Sequence, residues 1–172
     1  MKSLSIVLLA VVFLGVFGVV KALIGVDTSP LITFQSTFDC LKTNGYAFAN
    51  VRAFTLEGID LDLSVKDTLI YAKRAGIRTD LYIRPCRGKS PDIQVTAVML
   101  VIAEQYYDRV WLYVDENPNV GCKWGPDIAA NCNFLKEMVK QIKYFQKPVG
   151  FYSTQKFWDT IISGTSVCSE LA

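Results

Sequence analysis

Five times along this chain a short apolar run is followed by a segment with helical spacing, and that alternation is what most restricts its fold. Leu23–Asp27, Phe48–Phe54, Arg78–Arg84, Arg109–Asp115 and Pro148–Ser153 read as strands of buried character. Between and after them, residues 34–43, 64–75, 91–107, about 131–146 and 154–162 read as helices. Phe34, Phe38 and Leu41 share a face of the first. Ser64 suits an N-cap and Gly76 a stop for the second, Pro91 opens the third, and Asn131 or Asn133 suits the cap of the fourth. Successive strand–helix units predict a parallel sheet in an α/β fold, laid out as an open doubly wound sheet or an α/β barrel. No glycine-rich phosphate loop follows any strand, which weakens a nucleotide-binding reading.

The chain is 172 residues long, enough for one domain. Met1–Lys2–Ser3, the apolar run Leu4–Val20 and Val20-Lys21-Ala22 have the layout of a signal peptide cut after Ala22. The expected organisation is a leader over 1–22 and a single domain over 23–172. An uncleaved anchor is the competing reading of the leader, and no later run is long and apolar enough to span a bilayer. The whole chain has 18 Lys and Arg against 16 Asp and Glu. The leader holds Lys2 and Lys21 and no acid, so the remainder is formally neutral, which argues against non-specific nucleic-acid binding.

There is no histidine. That excludes a Ser-His-Asp triad, a Cys-His dyad and His-ligated zinc, and leaves acid–base work to Asp, Glu, Lys, Tyr or Cys. The five cysteines are Cys40, Cys86, Cys122, Cys132 and Cys168. A secretory route favours disulfides. Short loops suggest Cys122–Cys132 and then Cys40–Cys86, leaving Cys168 unpaired; no paired CxxC pattern points to a metal.

In a barrel, function sits at the carboxyl ends of the strands. Those ends carry Asp27, Arg52, Tyr82, Arg84, Tyr113, Asp115 and Tyr152. Carboxylates among aromatic and Arg neighbours suit sugar binding and glycosidic chemistry. Asp27 equally suits a helix cap, Asp115 and Glu116 suit loop-start acids, and Trp124 suits either sugar stacking or core packing. Trp111 and Trp158 read as structural.

Several segments together resemble the glycoside hydrolase family 25 (Chalaropsis-type) lysozymes, the eukaryotic secreted branch above all. They are Gly25-Val-Asp-Thr-Ser29, Phe38-Asp-Cys40 with Gly45-Tyr46, Val51-Arg52-Ala53, Ala72–Gly76, Asp80-Leu-Tyr82 with Pro85-Cys86, Trp111-Leu112, Asn133-Phe134-Leu135, and Gly150-Phe-Tyr152 with Trp158. The resemblance implies an irregular (β/α) barrel of five strand–helix units and three further strands. It implies hydrolysis of the bond between N-acetylmuramic acid and N-acetylglucosamine in peptidoglycan, without metal or organic cofactor, by a monomer. The expected leader places the protein outside the cell or in a lysosome-like vacuole, without stable membrane association after its cleavage, and the resemblance implies a part in antibacterial defence.

By the same resemblance Asp27 matches an essential Asp at the end of the first strand. The family's Asp-x-Glu motif, whose Glu is the general acid, falls on Tyr113-Val114-Asp115. Tyr supplies no fixed charge near neutral pH, and Asp is one methylene shorter than Glu. Glu116 replaces the acid only if a bulge turns it to the cleft side. The predicted catalytic residues are therefore Asp27, Asp115 and Glu116, and the predicted substrate contacts are Arg52, Tyr82, Tyr113, Trp124 and Tyr152. The three final strands are expected to be missing. A lysozyme relative that binds glycans without cleaving them is the alternative.

Overall fold

The computed structural model describes residues 23–28, 34–54, 60–162, 168 and 171; the leader expected over 1–22 lies outside them. Five strands form one sheet: β1 (Ile24–Thr28), β2 (Tyr46–Arg52), β3 (Arg78–Ile83), β4 (Val110–Val114) and β5 (Val149–Ser153). Each is followed by a helix: α1 (Gln35–Thr43), α2 (Val65–Arg74), α3 (Pro91–Val101), α4 (Ile128–Tyr144) and α5 (Gln155–Ile161). All neighbouring strands are parallel, in the order β1-β2-β3-β4-β5. A doubly wound sheet reverses its strand order at a switch point, whereas a barrel does not. The strictly sequential order makes this a partial α/β barrel.

Right-handed crossovers between sequential strands place the helices on one face of the sheet. Alternation along each strand divides the residues accordingly. Ala49, Val51, Leu81, Ile83, Val110, Leu112 and Val114 point to the helix side and are fully buried. Phe38, Leu69, Val95, Val98, Leu135, Met138 and Ile142 meet them from the helices. The intervening residues, including Asn50, Arg52, Tyr82, Trp111 and Tyr113, occupy the opposite face. Two glycines there admit a neighbour's ring. A Cβ on Gly25 would lie 2.1 Å from the Phe48 ring, and one on Gly150 would lie 2.5 Å from the Trp111 ring.

Several boundaries differ from the sequence expectation. The third helix stops at Val101; Ile102 is extended and buried, and a 3-10 turn follows at Glu104–Tyr106. The apolar run continues past the helix because those side chains still bury, and periodicity does not register the bend. Asp127, not Asn131 or Asn133, caps α4, accepting the Ala130 amide at 3.0 Å. Ser64 makes no side-chain cap bond; its own N–H and hydroxyl donate to Asp62. Phe34 stands 69% exposed ahead of α1, and Phe38 alone in that helix is buried.

The disulfides correct the sequence expectation. Cys86 pairs with Cys122, and Cys132 with Cys168, while Cys40 is free and exposed. Cys86 and Cys122 lie in the loops after adjacent strands β3 and β4, where the Arg87 amide also donates to the Cys122 carbonyl. Cys132 lies in α4, turned into the core. The ten-residue separation of Cys122 and Cys132 was a poor guide because sheet adjacency, rather than chain distance, sets which loops meet. Among the described residues no helix is long and apolar enough to cross a membrane.

Candidate functional site

Strand register gathers the polar residues of the open face. Asp27 lies opposite Asn50, Arg52 opposite Tyr82, and Tyr113 opposite Tyr152. A cavity of about 290 Å³ opens there, lined by Asp27, Phe48, Asn50, Trp111 and Tyr152 among others. Asp27 is exposed to it. The Asn50 side-chain oxygen is buried without a partner, leaving an unused acceptor beside the cavity. Trp111 donates its ring N–H to Asp80 at 2.8 Å, which fixes the indole against Gly150.

Three tyrosines line one side. Tyr152 stacks on Tyr113 with ring centres 4.8 Å apart, and Tyr82 meets Tyr113 edge-on at 6.0 Å. The charge of the Asp27 carboxylate, more than burial, raises the Tyr152 phenol above its usual range. Burial raises Tyr82, opposed by the Arg52 guanidinium and reinforced by Asp27. Burial and then Asp115 raise Tyr113, opposed by Arg84. All three remain neutral hydroxyls near neutral pH and serve as hydrogen-bond donors to a ligand. Flat, stacked rings with polar tips suit the apolar face and hydroxyl edge of a sugar.

Asp115 is 6% exposed and is engaged by Arg84. The Arg84 Nε donates to one carboxylate oxygen at 2.9 Å and Nη2 donates to the other. This is the bidentate fork of a strong charge-assisted pair. The Arg84 guanidinium also lies 5.2 Å over the Tyr113 ring. A proton donor must present an O–H to the leaving oxygen at hydrogen-bond distance. With both oxygens held by Arg84, Asp115 offers none in this arrangement.

Asp27, Arg52, Tyr82, Tyr113, Asp115 and Tyr152 thus come together at one end of the sheet. Glu116 and Trp124 do not join them. β4 ends at Val114 and Glu116 turns outward, exposed, into a separate cavity that Trp124 also lines. Trp124 donates its ring N–H to the Asp115 carbonyl at 2.8 Å and packs edge-on against Phe134, so it has both a structural and a cavity-facing side. The sequence singled out neither Phe48 nor Asn50 for the site and read Trp111 as structural. Their signal was the two-residue alternation that puts 48, 50 and 52 on one face with 111, 113 and 115. Among the described residues no cluster of three metal-binding side chains occurs.

Comparison with known proteins speaks to the family and the fold. The family described as Lysozyme-like protein 1 matches residues 19–171. The "Probable GH family 25 lysozyme 4" of Dictyostelium discoideum is 27% identical over 167 residues, covering 95% of this chain and 75% of that protein. The "Probable GH family 25 lysozyme 2" of the same organism is 29% identical over 166 residues, covering 94% and 75%. The "Lysozyme-like protein 5" of Caenorhabditis elegans is 28% identical over 145 residues, covering 80% and 64%. Among solved structures, a family 25 glycosyl hydrolase from Bacillus anthracis aligns with TM-score 0.66 at 17% identity, covering 86% of this chain and 68% of that one. A muramidase from Trichobolus zukalii aligns with TM-score 0.66 at 16% identity, covering 81% and 69%. At those identities the two structures speak to the fold.

Proposed function

The chain belongs to the Lysozyme-like protein 1 family, and from that premise we propose that it acts on peptidoglycan as a slow lysozyme-type glycoside hydrolase. Its relatives among the family 25 lysozymes support the substrate class. The observation that carries the reading is Asp27: a carboxylate at the end of β1, exposed to a cavity and flanked by Tyr82 and Tyr152. In the proposed role Asp27 stabilises the charge that develops on the sugar. Tyr113 and Tyr152 stack on a sugar ring, and Arg52 and Tyr82 hydrogen-bond to its substituents. No metal or cofactor takes part in this scheme.

The Arg84–Asp115 pair sets the rate in this reading. A positioned general acid contributes roughly 10²–10⁴-fold, and here the carboxylate in the acid's place is occupied by a guanidinium. The same pair supports a second reading, in which the cleft retains glycan and does not cut it. In both, a leader over 1–22 routes the chain out of the cytosol, where its two disulfides persist and where it meets bacterial walls as a monomer.

The test is turbidity clearing and co-sedimentation with insoluble peptidoglycan, using the folded chain and Asp27→Asn. Slow clearing that Asp27→Asn abolishes while sedimentation survives is the expected result. Sedimentation without clearing selects the second reading. A folded protein that neither clears nor sediments overturns both.

A further inference from the structure

The larger of the two cavities at this end of the sheet is not the one that holds Asp27. It has a volume of about 500 Å³ and lies between the loop after β4 and helix α5. Its lining combines Glu116, Lys123 and Lys156 with Trp124, Phe157 and Ile161. Among the described residues none of the three charged groups has an ion-pair partner. The Lys156 ammonium rests 6.0 Å from the centre of the Phe157 ring.

The walls are tied together from beneath. Asn131, 1% exposed, donates through its side-chain amide to the Gly125 carbonyl at 2.9 Å and the Ile161 carbonyl at 3.2 Å, joining one wall to the other. Its side-chain oxygen is buried and has no partner, and it lies 3.9 Å from where a side chain on Gly125 would begin. The two walls are therefore tied by a buried bridge behind the cavity lining. Trp124 ties the cavity to the end of β4, since its ring N–H bonds the carbonyl of Asp115, whose side chain is held by Arg84.

We propose that this second cavity binds a short ampholytic peptide, of the kind carried on the muramyl sugars of peptidoglycan, beside the glycan in the Asp27 cleft. The inference rests on the peptidoglycan reading above. The reason is charge. A neutral sugar would leave two ammonium groups and a carboxylate unanswered. A peptide with free carboxylates and a primary amine answers all three, the carboxylates at Lys123 and Lys156 and the amine at Glu116. Small aliphatic side chains of such a peptide fit the apolar walls of Trp124, Phe157 and Ile161.

The test uses calorimetric titration of the full secreted chain with three probes. The first is the disaccharide N-acetylglucosaminyl-N-acetylmuramic acid with its lactyl carboxyl amidated, so that it is neutral, and with the muramic acid at the reducing end so that no cleavable bond is present. The second is the same disaccharide bearing a lysine-containing stem pentapeptide. The third is that pentapeptide alone. The peptide-bearing disaccharide should bind about tenfold more tightly than the bare one, and rising salt should shrink the gap. Lys123→Glu with Lys156→Glu, both at exposed positions, should remove the gap and leave the bare disaccharide unaffected. Asp27→Asn should weaken both disaccharides and keep the gap. Equal affinity of wild type for the two disaccharides overturns the proposal, as does a gap that survives the double charge reversal. If neither disaccharide binds, the peptidoglycan-cleft reading has failed by itself, and the pentapeptide then decides this one: binding that the double reversal abolishes supports the cavity, and no binding overturns it.

Discussion

Arg84 grips both carboxylate oxygens of Asp115, joining the end of β3 to the end of β4 across the floor of the cleft. The two side chains are 21% and 7% exposed, so the pair is largely withdrawn from water. Removing one partner of such a pair strands a buried charge, whereas replacing both by apolar groups is close to neutral. Arg84→Met should therefore cost about 3 kcal/mol of unfolding free energy. The double variant Arg84→Met with Asp115→Leu should recover most of it. Urea unfolding of the two single variants and the double completes the cycle; a double-variant loss equal to the sum of the two single losses would mean that the pair is energetically idle.

The second expectation concerns covalent links. Digestion without reduction, followed by mass spectrometry, should recover peptides joining Cys86 to Cys122 and Cys132 to Cys168, with Cys40 alkylated beforehand as a free thiol. Each bridge spans 36 residues. In the chain-entropy model a loop of that size is worth about 4 kcal/mol. Cys168→Ser should lower the melting temperature by much more than Cys40→Ser, and comparable shifts would contradict the pairing.

Alkaline stability should report on Tyr107. Its phenol is 3% exposed and donates to the Met99 sulfur at 3.1 Å. Burial, with the Glu104 carboxylate adding to it, pushes its pKa from 10.0 to about 12. A folded-state pKa above the unfolded one means that the native state holds the proton more tightly. The stabilisation, on the order of 2 to 3 kcal/mol, is complete below about pH 10 and is lost as pH rises towards 12. Unfolding free energy measured from about pH 9 to about pH 12, the span of that titration, should fall more steeply for wild type than for Tyr107→Phe. Parallel curves would remove Tyr107 as the cause.

Gly150→Ala probes the packing of the cleft floor. The new methyl would begin 2.5 Å from the Trp111 ring, which is anchored to Asp80 and has to shift. Overpacking of this kind costs roughly 1 to 3 kcal/mol. Indole fluorescence should change and glycan retention should fall, because Trp111 also lines the Asp27 cavity. The added change Trp111→Phe should relieve part of the strain; unaltered fluorescence and retention in Gly150→Ala would show that the ring has room to move.

Much of this protein was legible from the chain. Alternating apolar runs and helical periods gave five strand–helix units within a few residues of their observed bounds, because burial on both sides of a parallel strand and on one face of a helix leaves its mark on local sequence. The place of Asp27 at the end of β1 was legible for the same reason, as was the strand-end set of Arg52, Tyr82, Tyr113, Asp115 and Tyr152. The stop at Val101 and the cap at Asp127 were not, since an apolar run reads the same through a bend and several polar residues compete for one cap.

Tertiary structure alone decided what lies across the sheet. Sequential strand order chose the partial barrel over the doubly wound layout. Loop adjacency after β3 and β4 chose Cys86–Cys122. The 31 residues between Arg84 and Asp115 conceal a bidentate contact, and of the neighbours Asp115 and Glu116 one is buried on Arg84 while the other lines a cavity. Local sequence encodes which face a side chain takes, because backbone geometry fixes it residue by residue. Partners from different strands are set by register, and register is a property of the assembled sheet.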